Sequence, residues 1–150
     1  MKLNRESEYG IRALIFLARQ GRERVLMAST VAQEQDLPQG FLAKIFQKLT
    51  RHGVLRSYRG KQRGYALARP PEEIALKEVV EAIEGPDLMD RCIFWSNRCP
   101  TSTPCLLHEW YKEIKPQFDQ MLSQTTLAAV VQQEASLSAL RPAIEPKQAG

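Results

Sequence analysis

The chain is expected to be mainly α-helical with a small β-hairpin wing: a winged helix-turn-helix unit followed by a long C-terminal dimerisation helix. Three observations predict this. Leu42, Ile45, Phe46 and Leu49 form one apolar stripe at helical spacing, and Gly53, two short strand candidates and a glycine-rich basic turn follow. The 35 residues from Leu37 to Pro71 contain no Asp or Glu, yet carry Lys44, Lys48, Arg51, Arg56, Arg59, Lys61, Arg63 and Arg69. Further on, Leu107, Trp110, Tyr111, Ile114, Phe118, Met121 and Leu122 recur near 3.5 spacing, the pattern of a helix that pairs with another.

The charge is local. The 21 basic and 17 acidic residues give a net +4, so the eight cations of this stretch leave the rest of the chain at −4. A concentrated cationic face without carboxylates is the electrostatic footprint of a nucleic-acid binder. The same absence argues against magnesium-dependent RNA chemistry in this neighbourhood, which would need carboxylates. At 150 residues, 43% hydrophobic and 25% charged, the chain supports one core and an appendage. It has no apolar run of about 20 residues and no hydrophobic signal core after Met1, so no membrane partner and a cytoplasmic location are expected.

The elements are expected in this order. Asn4 caps a first helix through Arg19, with Tyr9, Ala13, Phe16 and Leu17 at helical spacing, and Gly21 ends it. Ser29 or a neighbour begins a second short helix, which Asp36-Leu37-Pro38 breaks. Pro38 sets the first turn of the next helix, so the two meet in a tight turn. That next helix turns Gln39, Gly40, Ala43, Lys44, Gln47, Lys48 and Arg51 away from the core, and its leading end would enter the major groove. Phe41 is open between core or hinge packing and a thymine-methyl contact. Val54 to Tyr58 and Tyr65 to Leu67 are the strands of the wing.

Pro70-Pro71-Glu72-Glu73 opens a helix with Leu76, Val79, Val80 and Ile83 buried, and Gly85-Pro86 closes it. The change of composition there divides residues 1–84, the DNA-reading domain, from 85–132, a cysteine-bearing loop and dimerisation helix. Pro116 is expected to kink or interrupt that helix. Thr126 caps a last short helix, Leu127 to Val131, and 133–150 is expected to be a disordered tail.

Within this frame Gln39 is expected on base edges, Lys44, Lys48, Arg51 and Lys61 on phosphates, Arg59 in the minor groove, and Arg63 in the basic turn beside it. Cys92, Cys99 and Cys105 fall in one aperiodic stretch beside Pro100 and Pro104. An odd number of cysteines in one loop argues for thiolate chemistry in a reducing compartment rather than a disulfide framework.

Taken together, Glu8-Tyr9-Gly10-Ile11-Arg12-Ala13, the run Phe41-Leu42 to Phe46 and Leu49, the wing from Arg59-Gly60 to Gly64-Tyr65, Glu78-Val79-Val80 to Ile83, the three cysteines and the long terminal helix resemble a known family. It is that of the bacterial iron–sulfur winged-helix regulators IscR, NsrR and RirA, and the likeness covers Met1 to about Val131. The resemblance implies a non-enzymatic transcriptional regulator, a repressor or dual regulator. It implies a homodimer on a palindromic operator in double-stranded DNA, and a cluster held by Cys92, Cys99 and Cys105. Cys105-Leu106-Leu107-His108 reproduces the Cys-x-x-His ending of the IscR branch, which makes His108 a fourth ligand and a [2Fe-2S] cluster the expected cofactor. In other branches a carboxylate near the partner's amino terminus serves, and Glu8 stands at that place, so a [4Fe-4S] cluster stays open. The gap from Cys92 to Cys99 holds six residues rather than the more typical five, and Gly40 and Ala43 replace the polar side chains of IscR.

Thiolates are soft ligands suited to iron–sulfur clusters, while gaps of six and five do not fit the two-to-four-residue pairing of structural zinc. A zinc-containing or cysteine-thiol winged-helix regulator without a cluster is the alternative. An iron–sulfur electron carrier lacks support, since the chain has no Cys-x-x-Cys run and no glycine-rich nucleotide fingerprint.

Overall fold

The computed structural model describes residues 3–92 and 105–139, with side chains to 137 in the second stretch. Cys99 and the tail beyond residue 139 lie outside the described residues. Six α-helices and one antiparallel hairpin are found among those described: α1 (Arg5–Gln20), α2 (Ala28–Glu34), α3 (Gln39–Arg51), β1 (Leu55–Tyr58), β2 (Gly64–Leu67), α4 (Leu76–Glu84), α5 (His108–Gln124) and α6 (Leu127–Ala139). The fold is a winged helix.

The expected face of α3 is buried in full, whereas Tyr9 and Phe16 of α1 and Leu76 of α4 are only partly buried. On α1 the buried positions are Ser7, Gly10, Ala13, Leu14 and Leu17, and on α3 they are the expected Leu42, Ile45, Phe46 and Leu49. Gly10 lets α1 press on two neighbours at once. A Cβ there would overlap Ile83 of α4 and stand 3.2 Å from Ile45 Cγ2 of α3. The turn between α2 and α3 runs through Asp36 at φ 51°, and the Leu37 amide donates to the Ala32 carbonyl at 2.8 Å. Asp tolerates this left-handed conformation better than most residues, because its short polar side chain bonds locally.

The wing pairs Leu55 with Leu67 and Tyr58 with Gly64. It is not free-standing, because Leu26 exchanges two backbone hydrogen bonds with Tyr65, at 2.9 and 2.8 Å. The Tyr65 ring also meets Phe46 of α3 edge-on, centroids 5.1 Å apart. The hairpin is thereby fixed to the helix it flanks.

Four expectations are corrected. Pro70-Pro71 do not start α4. They lead into a 3-10 turn, Pro71–Glu73, and the helix begins at Leu76, where the Glu78 carboxylate accepts from the Ala75 amide at 2.9 Å. Asn4 precedes α1 but makes no side-chain cap; its amide groups donate to Glu84 instead. Pro116 does not interrupt α5, which runs as one helix from His108 to Gln124. The last helix is not short, since α6 continues to Ala139, so residues 133–139 are helical rather than a disordered tail.

The physical reason for the last correction is tertiary. α6 returns onto α1, with Leu127 fully buried in the main core and Arg19 of α1 paired with Glu134. The Leu76 amide donates to Thr125 O at 2.9 Å and the Leu127 amide to Ile74 O at 2.8 Å, so the chain end is stitched beside the start of α4. A smaller cluster of Val80, Leu88 and Leu122, with Phe118 and Met89 against it, joins α4 to α5. Lys77 and Asp119 bridge the same two helices at 2.7 Å, and this hydrogen bond holds the Lys77 ammonium above its usual pKa.

Gly64 has φ 150°, and a Cβ on it would lie 2.5 Å from the backbone oxygen of Leu26. Gly64→Ala should therefore cost about 2 kcal/mol or more by straining the Leu26–Tyr65 bridge. Gly60→Ala, at φ 86° but in open space, should cost only about 1 kcal/mol. Denaturant unfolding of the two variants beside the parent measures both, and equal losses would show that the bridge does not constrain the wing.

Candidate nucleic-acid interface and thiol segment

Burial of the four apolar residues of α3 turns its other faces outward. Gln39, Phe41, Lys44, Gln47 and Arg51 are exposed, as are Arg56 and Arg59 on β1 and its edge and Lys61 and Arg63 in the connecting turn. Phe41 is 54% exposed and outside the core, so core packing for it does not hold.

Two of the eight cations are withdrawn from this surface. Lys48 lies on the flank of α3 that faces α1 and α4, where its ammonium donates to Glu6 Oε2 at 2.6 Å and to the Ile83 carbonyl at 3.1 Å. Without DNA, the Lys48 charge thus neutralises a carboxylate and satisfies an orphan carbonyl at the end of α4. Arg69 pairs with Glu78 and donates to the Glu73 carbonyl at 3.0 Å. Among the described residues the other six, Lys44, Arg51, Arg56, Arg59, Lys61 and Arg63, make no ion pair.

Between α3, the start of α2 and the wing lies an open cleft of about 560 Å³. Gln39, Gln47 and Arg51 line it from the helix, Tyr58, Arg59 and Arg63 from the wing. Gln47 and Tyr58 were not among the contacts expected from the sequence. The available signal was spacing, since Gln47 follows Gln39 by eight residues, two steps of four along one side of the helix.

The thiol segment begins where α4 ends. The Glu84 side chain is 2% exposed and accepts from the Asn4 amide, Asn4 Nδ2 and Ser7 Oγ, each at 2.7 Å, so it closes the amino terminus of α1. Arg91 lies 3.5 Å from the same carboxylate and donates to the Glu84 carbonyl at 2.7 Å and to Asp87 at 3.0 Å. Next in the chain is Cys92, which is buried. The Tyr111 hydroxyl of α5 donates to the Arg91 carbonyl at 3.2 Å; burial, and secondarily the charge of Cys92, holds its phenol above the usual pKa. Cys105 is half-buried one turn before α5, and the His108 amide donates to its carbonyl at 3.0 Å. Glu8 is exposed on α1, 3.7 Å from Arg12. No group of three or more His, Cys, Asp or Glu side chains suited to a metal occurs among the described residues, and Cys99 is not one of them.

The family profile described as Rrf2, iron-dependent transcriptional regulator, matches residues 3–133. The chain belongs to the Rrf2 family of transcriptional regulators. Protein rrf2 of Nitratidesulfovibrio vulgaris is 31% identical over 137 residues, covering 91% of each chain. Among solved structures, CymR, the global cysteine regulator of B. subtilis, superposes with a TM-score of 0.71 at 23% identity over 88% of this chain and 97% of that one. T. potens IscR does so with a TM-score of 0.71 at 22% identity, over 96% and 94%. At these identities the two structures speak for the fold. The family is one of non-enzymatic DNA-binding regulators, and no described helix is long and apolar enough to cross a membrane.

The two lysines of α3 separate structure from binding. Lys48→Ala should lower stability by about 1 kcal/mol through loss of its pair and the α4 cap. Lys44→Ala should leave stability within about 0.5 kcal/mol and weaken duplex binding. Thermal unfolding and fluorescence anisotropy on both variants check the assignment; the reverse pattern would contradict it.

Proposed function

We propose that the chain is a homodimeric repressor or dual regulator that binds a palindromic operator and whose affinity is set by an iron–sulfur cluster on the thiol segment. The observation that carries the DNA-binding half is the carboxylate-free cationic surface spanning α3 and a wing fixed to it. Gln39 and Phe41 are assigned to the major-groove end, Lys44, Arg51 and Lys61 to phosphates, and Arg59 with Arg63 to the wing contact, Arg59 in the minor groove. The second copy docks along α5, where Trp110, Ile114 and Met121 recur at helical spacing and are 70%, 59% and 44% exposed.

The donor chemistry fits a cluster. Cys92 follows Arg91, whose carbonyl accepts from Tyr111 of α5, Cys105 stands one turn before that helix, His108 begins it, and Cys99 lies between the two thiols in sequence. When bound, the cluster supplies iron–thiolate bonds whose state depends on iron supply, oxidants or nitric oxide. We assign Cys92, Cys99, Cys105 and His108 as its ligands in a [2Fe-2S] form. Glu8 is the rival fourth ligand, through the partner subunit, and with it a [4Fe-4S] form. The protein's own part is the connection: Arg91, next to Cys92, grips Glu84, Glu84 closes α1, and α1 packs on α3. Ligation at Cys92 thereby biases the placement of the reading helix.

A solved relative in an oxidized form, S. aureus CymR at 25% identity, favours one second reading, a thiol switch without a cluster. Anaerobic purification discriminates. A brown protein whose thiolate-to-iron absorption is lost in Cys92→Ala, and whose operator affinity changes on bleaching, is the expected result; a colourless protein whose affinity responds to thiol oxidation would establish the second reading. Spectra of His108→Ala and Glu8→Ala assign the fourth ligand. Arg59→Ala should weaken operator binding by about 1–3 kcal/mol in a shift assay at fixed salt, and unchanged affinity would remove it from the contact list.

A further inference from the structure

The reading face of α3 carries an unusual set of side chains for a cationic protein. Gln39, Ala43 and Gln47 succeed one another at intervals of four residues, so they form a single row turning through about 80°. Gln39 and Gln47 both line the cleft shared with Arg51, Arg59 and Arg63. Both are exposed, and among the described residues neither amide is engaged in a hydrogen bond within the chain. Gly40, beside the row, has open space around its α-carbon, so nothing stands between it and a ligand. No carboxylate faces this row from α3 or the wing, since both lie in the stretch without acidic residues.

Base edges in the major groove differ in what they ask of a side chain. Adenine offers N7 as acceptor and N6 as donor, which a glutamine amide matches with two hydrogen bonds. Thymine offers a methyl group, which alanine covers, and cytosine N4 asks for a carboxylate that this face lacks. Guanine is best met by Arg or Lys; on this helix Arg51 continues the row only at its carboxyl end and Lys44 lies beside it, so no cation stands between Gln39 and Gln47. The cation-lined cleft beside the row accounts for the backbone, so the amides remain available for bases.

On the DNA-binding reading above, we infer that Gln39 and Gln47 are the specificity-determining residues, each reading an adenine, with Ala43 against an intervening thymine methyl. The half-site of the operator is therefore rich in A·T pairs. Eight residues of helix span about 12 Å, so the two adenines stand three to four base pairs apart.

The test begins with selection of duplexes from a random pool by the full-length, anaerobically purified protein, followed by replacement of single adenines of the selected half-site by 7-deazaadenine. That base keeps its pairing and its N6 donor and loses only the N7 acceptor. Two positions, three to four pairs apart, should each lose about tenfold in affinity. Gln39→Ala should lose a similar amount on the natural site and become indifferent to deazaadenine at one position, and Gln47→Ala at the other. A selected site dominated by G·C pairs, or one whose affinity ignores deazaadenine everywhere, overturns this inference and leaves the regulator reading standing. A pool that yields no enriched duplex overturns both.

Discussion

Leu42, Ile45, Phe46 and Leu49 are each fully buried, and their burial decides which way α3 presents its charges. Full burial of one such side chain stabilises by about 1.5–3 kcal/mol, so the stripe as a whole contributes on the order of 10 kcal/mol. An exposed ion pair contributes about 1 kcal/mol or less. Electrostatics therefore cannot rotate the helix to suit itself. The cations go where the apolar stripe leaves them, with Lys44 and Arg51 toward solvent and Lys48 against Glu6 and the end of α4.

The same rigidity reaches the wing and the thiols. Phe46 meets Tyr65, Tyr65 is bridged to Leu26, and the hairpin cannot swing without breaking that contact and two backbone hydrogen bonds. At the other end, the start of α1 and Arg91 converge on the Glu84 carboxylate. Leaving a group so enclosed unpaired is costly, so its partners move with it. The chain thus has a short physical route from the residue before Cys92 to the helix that presents Gln39 and Lys44.

What could be read from the sequence follows from how local each determinant is. The stripe of α3, the stop at Gly53, the strands about the basic turn and Val79, Val80 and Ile83 on the buried face of α4 rest on period and turn chemistry, which survive folding unchanged. The pairing of Lys48 is not legible from sequence, because it sits at the border of the polar arc, where only the presence of Glu6 and Ile83 across the interface says which way it leans. Phe41 looked like a core residue by type and is exposed by position. The reach of α6 was hidden for a similar reason. Its partners, Arg19 and Ile74, are remote in sequence, and residues 133–139 carry no period of their own to announce a helix. Asn4 had the type of a cap, but Glu84, eighty residues away, took its side chain.

On the proposed function, the cationic surface of α3 and the wing, whose six cations make no ion pair among the described residues, meets a duplex largely through its phosphates. Affinity for a selected operator, followed from about 50 to 200 mM salt, tests it most directly, because each neutralised phosphate releases counterions. The slope of log K against log salt should be steep, about −5 for each subunit if all six cations engage. A slope near zero would contradict the account.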